Sequence, residues 1–228
     1  ATGGIFIDGK LKKAKIKYRG DFSYHWSWDK KSIRVKTKKS ALFEGLRVFN
    51  LQAPKNSKQL NNFLSLKLAK TFNLLAPRTE LVRHYLNGTD RGIYFFVEQP
   101  SETTLRNANL MPGDIYRGEM VGKDKYSFLG LKSGDGRWLF DSASFWDKVA
   151  INNHYNPRSF APLKKLIELT KAHKAEQSQA ALSEIMDMEA WGRFSVFETL
   201  ASTKHSSNSH NWRLYYDPWR GRLFPLVW

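Results

Sequence analysis

The sequence contains no cysteine among its 228 residues, so neither a disulfide framework nor a thiolate metal site can be built from it. It has no apolar run approaching the roughly 20 residues that a membrane-spanning helix needs. Its opening stretch, ATGGIFIDGK, has neither the apolar core of a secretory signal nor a lipidation motif. No internal repeat or low-complexity tract is present. Acidic residues are scarce: 21 Asp and Glu stand against 37 Lys and Arg, for a formal net charge of +16. The excess is gathered between Lys10 and Lys39, on both flanks of YRGDFSYHWSWD. Such a domain is expected to meet anionic partners, whether nucleotide phosphates, nucleic acid, acidic polymers or an acidic protein, and composition does not choose among them. Two local absences matter as well. Neither the stretch from Asn56 to Pro77 nor the loop from Lys204 to Ser209 holds a single acid.

What the chain does hold is enough apolar material for a sizeable core, 41% hydrophobic and 14% aromatic, in a length that suits one large domain or two lobes. Up to about residue 100 it reads mainly as strands. Gly4 to Asp8, Leu11 to Arg19 and Lys31 to Thr37 alternate in the strand period. Asn56 or Ser57 can cap a helix whose apolar positions Leu60, Phe63, Leu64 and Leu68 lead to Ala76 and Pro77. Thr79 to Leu86 and Gly92 to Glu98 form a hairpin across Asn87–Gly88, a pair suited to positive φ. Pro100 interrupts pairing, and the boundary between regions 1–100 and 101–228 is placed there. Beyond it helices are expected at Thr103 to Leu110, Leu163 to His173 behind Pro162, and Met188 to Leu200, with a short strand at Ile115 to Arg117. A hairpin closes the chain: Trp212 to Tyr216, a turn from Asp217 to Gly221, and Leu223 to Trp228. The predicted fold class is α+β, an N-terminal antiparallel sheet with one helix and then a mainly helical part ending in a β-hairpin.

Several residues invite chemistry, each with a plainer alternative. Arg19–Gly20, between two strands, can bring backbone amides close to phosphates, or it is an ordinary turn. Lys36 lies opposite Ile33 and Val35 in the strand period and can reach phosphates, or it belongs to a solvated strand face. Asn211, at the mouth of the last hairpin, offers an amide oxygen to a hard cation, or it closes a loop. His205 and His210 lack a third ligand at zinc spacing. A rival reading takes the basic stretch with Tyr18, Phe22, Tyr24, Trp26 and Trp28 as a non-catalytic surface for nucleic acid or polysaccharide, the rings acting as stacking platforms. No recognisable nucleic-acid motif accompanies it.

The polar loop ending in His210–Asn211, the strand Trp212 to Tyr215, the Asp217–Pro218 turn and Pro225 to Trp228 together resemble the ligand-holding segment of the spore-coat CotH kinase family. Arg19–Gly20 followed by Lys30–Lys31–Ser32 and Ile33 to Lys36, and the Asn87–Gly88 turn with Gly92–Ile93–Tyr94 and Glu98, resemble it too. The resemblance covers most of the chain, most loosely between Met120 and Glu189. It implies a two-lobed protein-kinase-like fold that binds ATP with Mg or Mn and transfers phosphate to protein hydroxyls. On this resemblance Arg19, Gly20, Lys31 and Lys36 are assigned to the phosphates. Glu98 is assigned to the segment that contacts the base, and with Glu80 is a candidate to replace the helix glutamate that pairs with the kinase lysine. Asn211 is assigned to the metal, and Ser206 or Ser207 occupies the catalytic position where the family has a loop aspartate. The family's next aspartate directly follows the residue that is Trp228 here, so the chain is read as cut short before a metal ligand. Whether it catalyses is left open; weak nucleotide binding and poor or absent transfer are expected. A protein substrate or acidic partner, a monomer, and a location at the cell envelope, at the spore surface or outside the cell complete the expectation.

Overall fold

A computed structural model describes residues 1–7, 9–20, 25–55, 60–119, 138–150, 159–171, 175–202, 206 and 210–228, with the side chains of 175–178 left aside. They fall into two compact units, one of Ala1–Lys67 with Pro77–Gln99, the other of Leu68–Ala76 with Pro100–Trp228.

The first unit is a six-stranded antiparallel sheet. Its strands are β1 (Thr2–Ile7), β2 (Lys10–Tyr18), β3 (Ile33–Thr37), β4 (Val48–Gln52), β5 (Thr79–Leu86) and β6 (Thr89–Glu98), in the spatial order β1-β2-β3-β4-β6-β5. Strand side chains alternate between faces, and the two faces differ in kind. One carries Ala14, Ile33, Val35, Phe49, Leu51, Tyr94 and Phe96 into a buried cluster, where the rings of Phe43, Phe49 and Phe96 lie 5.0 to 5.8 Å apart. Burying each such ring stabilises the sheet by about 2–3 kcal/mol. The other face receives helix α1 (Leu60–Thr71), whose Phe63 stacks on Phe95 at 6.1 Å. On the β2 and β3 side that face is wet: Lys13, Lys15, Lys17 and Lys36 are all exposed. Hence the clear polar and apolar alternation of these strands. The proposed α1 caps, Asn56 and Ser57, lie outside the described residues, and the helix stops at Thr71, short of Ala76.

The second unit corrects the expected architecture. Instead of a mainly helical, kinase-like C-terminal part, it contains a second antiparallel sheet of four strands, in the order β10-β9-β7-β8. These are β7 (Asp114–Gly118), β8 (Trp146–Ala150), β9 (Trp212–Asp217) and β10 (Arg222–Pro225). Helices α2 (Glu102–Asn107), α3 (Ala161–Lys171), α4 (Ala175–Ile185) and α5 (Met188–Leu200) complete the unit. The described chain is thus mostly β: ten strands in two antiparallel sheets and five short helices. The reason is burial on both faces. Tyr116, Leu214 and Leu223 enter a cluster with Leu163, Leu166, Ile167 and Ile185, while Ile115 and Tyr215 enter another with Leu105 and Leu226. A strand covered on both sides has no polar alternation to betray it. The terminal hairpin is present; Asp217 accepts from Trp219 N and Arg220 N at 2.9 and 3.2 Å and so shapes its turn. Among the described residues no helix is long and apolar enough to cross a membrane.

Candidate functional site

The loop between α5 and β9 is held at both ends. Asp187 caps α5 by accepting from Ala190 N at 3.0 Å, and Trp191 Nε1 donates to Leu223 O of β10 at 3.0 Å. Trp212, the first residue of β9, packs against Trp191 at 6.0 Å and Phe194 at 5.9 Å. Between these anchors Asn211 takes φ +68 and Ser202 φ +47, left-handed backbone that asparagine tolerates and serine adopts at a cost. Asn211 and Ser206 are both half-buried, and Ser207 lies outside the described residues.

No acid occupies the loop, but the helix supplies one. The Ser206 side chain neighbours the carboxylate of Glu198 on α5. Burial pushes the Glu198 carboxyl above its ordinary value of 4.5, and the Ser206 hydroxyl pulls it part of the way back. Glu80 and Glu98 were the carboxylates that the sequence suggested for the site, and Glu198 was not among them. The available signal was helical: Phe194 and Phe197 take the buried stripe of α5, which sets Glu198 on its flank, close to where the chain leaves the helix.

In the first unit the expected residues separate. Lys36 is exposed on β3, opposite Lys15 of β2 in the register. Lys31 is committed to its own loop, donating to Trp26 O at 2.9 Å and Trp28 O at 3.0 Å, with its ammonium 5.8 Å from the Tyr18 ring. Gly20 has φ +101, and a Cβ there would meet the His25 ring at 2.2 to 2.5 Å. The glycine is therefore required by His25 packing, as well as by its backbone. Arg19 N donates to Ser32 O at 2.9 Å, which closes the loop base. Glu98 is 1% exposed and accepts from Arg78 N at 3.0 Å. Its register partner is Phe49, and that of Glu80 is Phe96, so both glutamates point to the apolar-cluster face, away from Lys36. A pair between Lys36 and either one is excluded by strand parity. Of the proposed aromatic platform, Tyr18 and Trp26 stack at 6.4 Å, while Phe22 and Tyr24 lie outside the described residues.

Among the described residues no three His, Asp or Glu side chains gather as a metal cage. Helix α5 offers the Glu198 carboxylate, and the loop offers the Ser206 hydroxyl and the Asn211 amide. All are oxygen donors of the kind that Mg accepts, and Mg habitually keeps water and takes its remaining ligands from one or two carboxylates and substrate phosphates. The donor set fits such an ion sparingly.

Against known proteins, the chain is 30% identical over 111 residues to the inner spore coat protein H of Bacillus subtilis (strain 168). That stretch is 48% of this chain and 30% of the relative, so the chain spans less than a third of the length of the curated relative it matches. The family described as CotH kinase protein matches residues 16–228, nearly the whole chain, and on that match the protein belongs to the CotH kinase family.

Proposed function

We propose that this chain is the ATP- and Mg- or Mn-binding portion of a CotH-family protein phosphotransferase, acting as a monomer on protein hydroxyls at the spore surface. The observation that carries the reading is the half-buried Glu198 carboxylate on α5 neighbouring Ser206, which supplies an anionic oxygen beside the loop position where the resemblance puts an aspartate. A carboxyl raised by burial is a better proton acceptor than an exposed one. In transfer, the acceptor oxygen bonds to the γ-phosphorus, the bond from that phosphorus to the bridging oxygen breaks, and ADP leaves. The acceptor proton passes to Glu198. The cation, when bound, would neutralise charge on the phosphates; Asn211 is the residue to hold it. Lys36, exposed on β3 of the first unit, is a candidate for the phosphates on the family resemblance alone. Arg19, Gly20 and Lys31 are the further candidates for the phosphates, and Glu98 for the segment that contacts the base. With a single carboxylate, nucleotide binding is weak and transfer slow.

The test is titration of the chain with Mg-ATP by calorimetry, then transfer of radiolabelled phosphate to a general acidic protein. Lys36→Ala should weaken ATP binding about tenfold, the worth of one charge-assisted hydrogen bond. Glu198→Gln should abolish transfer while the fold persists. Unchanged binding and transfer in both variants would refute the reading. One observation favours the rival polysaccharide-binding module: Tyr18 is 57% and Trp28 54% exposed, beside the Tyr18–Trp26 stack. Retention on an immobilised glycan without ATP affinity would select it.

A further inference from the structure

On β2 and β3 the register sets Lys15 directly opposite Lys36, and Lys17 directly opposite Arg34. Like charges so placed destabilise a sheet, and Lys13 continues the row on the same face. Their neighbours on that face, by register and parity, are Thr2 and Gly4 of β1, and Val48 and Asn50 of β4. Arg34 finds an uncharged partner, donating from Nε to Asn50 Oδ1 at 2.9 Å. Lys13, Lys15, Lys17 and Lys36 are exposed and have no hydrogen bond or ion pair among the described residues. Gly4, opposite Lys13, has no side chain of its own, and the Leu11 side chain lies over it.

We infer that the Lys13, Lys15 and Lys17 row, flanked by Lys36, is a docking track for an extended acidic polypeptide segment with carboxylates at alternate residues. The period decides the occupant. Alternate residues of a strand recur at about 6.8 Å on one face, and an extended chain presents its own alternate side chains at the same spacing, so three carboxylates meet three ammoniums in register. A single-stranded nucleic acid needs stacking rings along the cations. Tyr18 stands opposite Ile33 in the register, which puts it and its stacked partner Trp26 on the other face. The row instead ends at Phe6 and Leu11, register partners that are 69% and 64% exposed, a place for an apolar residue beyond the acidic run.

This docking goes beyond the nucleotide reading and is measured without ATP, so either can fail alone. The probe is a fluorescein-labelled peptide of six Glu-Thr repeats, followed by anisotropy at low salt. The comparison probes are a peptide of the same composition with Glu and Thr in two blocks, and oligo(dT) of matching length. Combined Lys13→Ser, Lys15→Ser and Lys17→Ser should weaken the alternating peptide at least about tenfold. Combined Lys70→Ser, Lys164→Ser and Lys165→Ser, an equal charge loss elsewhere, should change it less than about twofold. Thermal melting of both variants checks that the sheet is intact, since the replaced side chains are exposed. Equal losses in the two variants, no preference for the alternating peptide over the blocks, tighter binding of oligo(dT), or no peptide binding would each overturn the inference.

Discussion

Both sheets place a cation opposite a cation on neighbouring strands, and they resolve the conflict in opposite ways. In the four-stranded sheet Arg117 faces Arg213; Arg117 is paired with Asp147, and Arg213 donates to Trp212 O and lies 5.5 Å from the Trp228 ring. The same sheet buries Lys148 against Asp114 at 2.7 Å, their side chains 4% and 6% exposed. That contact is an ion pair by distance, although the ammonium does not meet hydrogen-bond geometry; the rings of Tyr116 and Phe160 lie 5.7 and 5.3 Å from it. In the six-stranded sheet Lys15 and Lys36 are both exposed and face each other, with no carboxylate on their face among the described residues. The cations of the second sheet are thus engaged within the fold, while Lys13, Lys15, Lys17 and Lys36 of the first have no ion pair among the described residues.

The largest expected effect is at the buried pair. Lys148→Ala leaves Asp114 buried beside Tyr116 without its cation, and should cost about 3 kcal/mol, as loss of one partner of a buried pair typically does. Urea unfolding followed by tryptophan fluorescence reads it; a cost below about 1 kcal/mol would put this pair in the class of surface bridges. Next is Gly20→Ala, which meets both the left-handed backbone and the His25 ring. A loss of about 2 kcal/mol is expected, and the stability of the variant shows whether the glycine is there for packing or is tolerant of replacement.

A smaller effect is pH-dependent. His84 packs edge-on against Tyr94 at 4.7 Å with its Nδ1 buried and unpartnered among the described residues. Burial first, then Arg91 and Lys30, lower its pKa from 6.5. The folded form therefore binds this proton less tightly than the unfolded chain. Its contribution is complete above pH 6.5 and is lost as the pH falls through 6.5 towards the lowered folded value. His84→Gln should flatten the decline in stability over that window, as seen in melts at stepped pH. An unchanged slope would place the titration elsewhere. The smallest effect is Lys15→Glu. Exchanging a repulsive cross-strand pair for an attractive one should stabilise the first unit by about 0.5 kcal/mol or less, and the gain should vanish in high salt. Destabilisation at low salt would mean that the register conflict is already relieved.

The contrast between the sheets also explains what could be foreseen. β2, β3 and β5 were legible because one face is wet and the hydrophobic period shows. Helix α5 matches its expected span, Met188 to Leu200, since a buried stripe at helical spacing is a local signal. β4, β8 and α4 have no counterpart in the sequence reading. β8, WDKVA, places Lys148 in the core and offers no alternation, and β7 finds its partner β9 far along the chain, at the pairing of Asp114 with Tyr216. At the candidate site, Asn211 and Ser206 were visible as loop positions. Glu198 was not, because its carboxylate comes from the preceding helix.

By itself the sequence determined the absence of thiol chemistry, the gathering of positive charge between Lys10 and Lys39, the helix and hairpin that flank the loop, and the family. Tertiary structure decided which of those cations share a face, that Glu98 and Glu80 lie on the other face of the sheet from Lys36, that His25 fills the space at Gly20, and that Glu198 neighbours Ser206. The division is physical. Composition and period are properties of neighbours along the chain, whereas register and burial are set by strands distant in sequence, and a shift of one residue would send every one of those side chains to the other face.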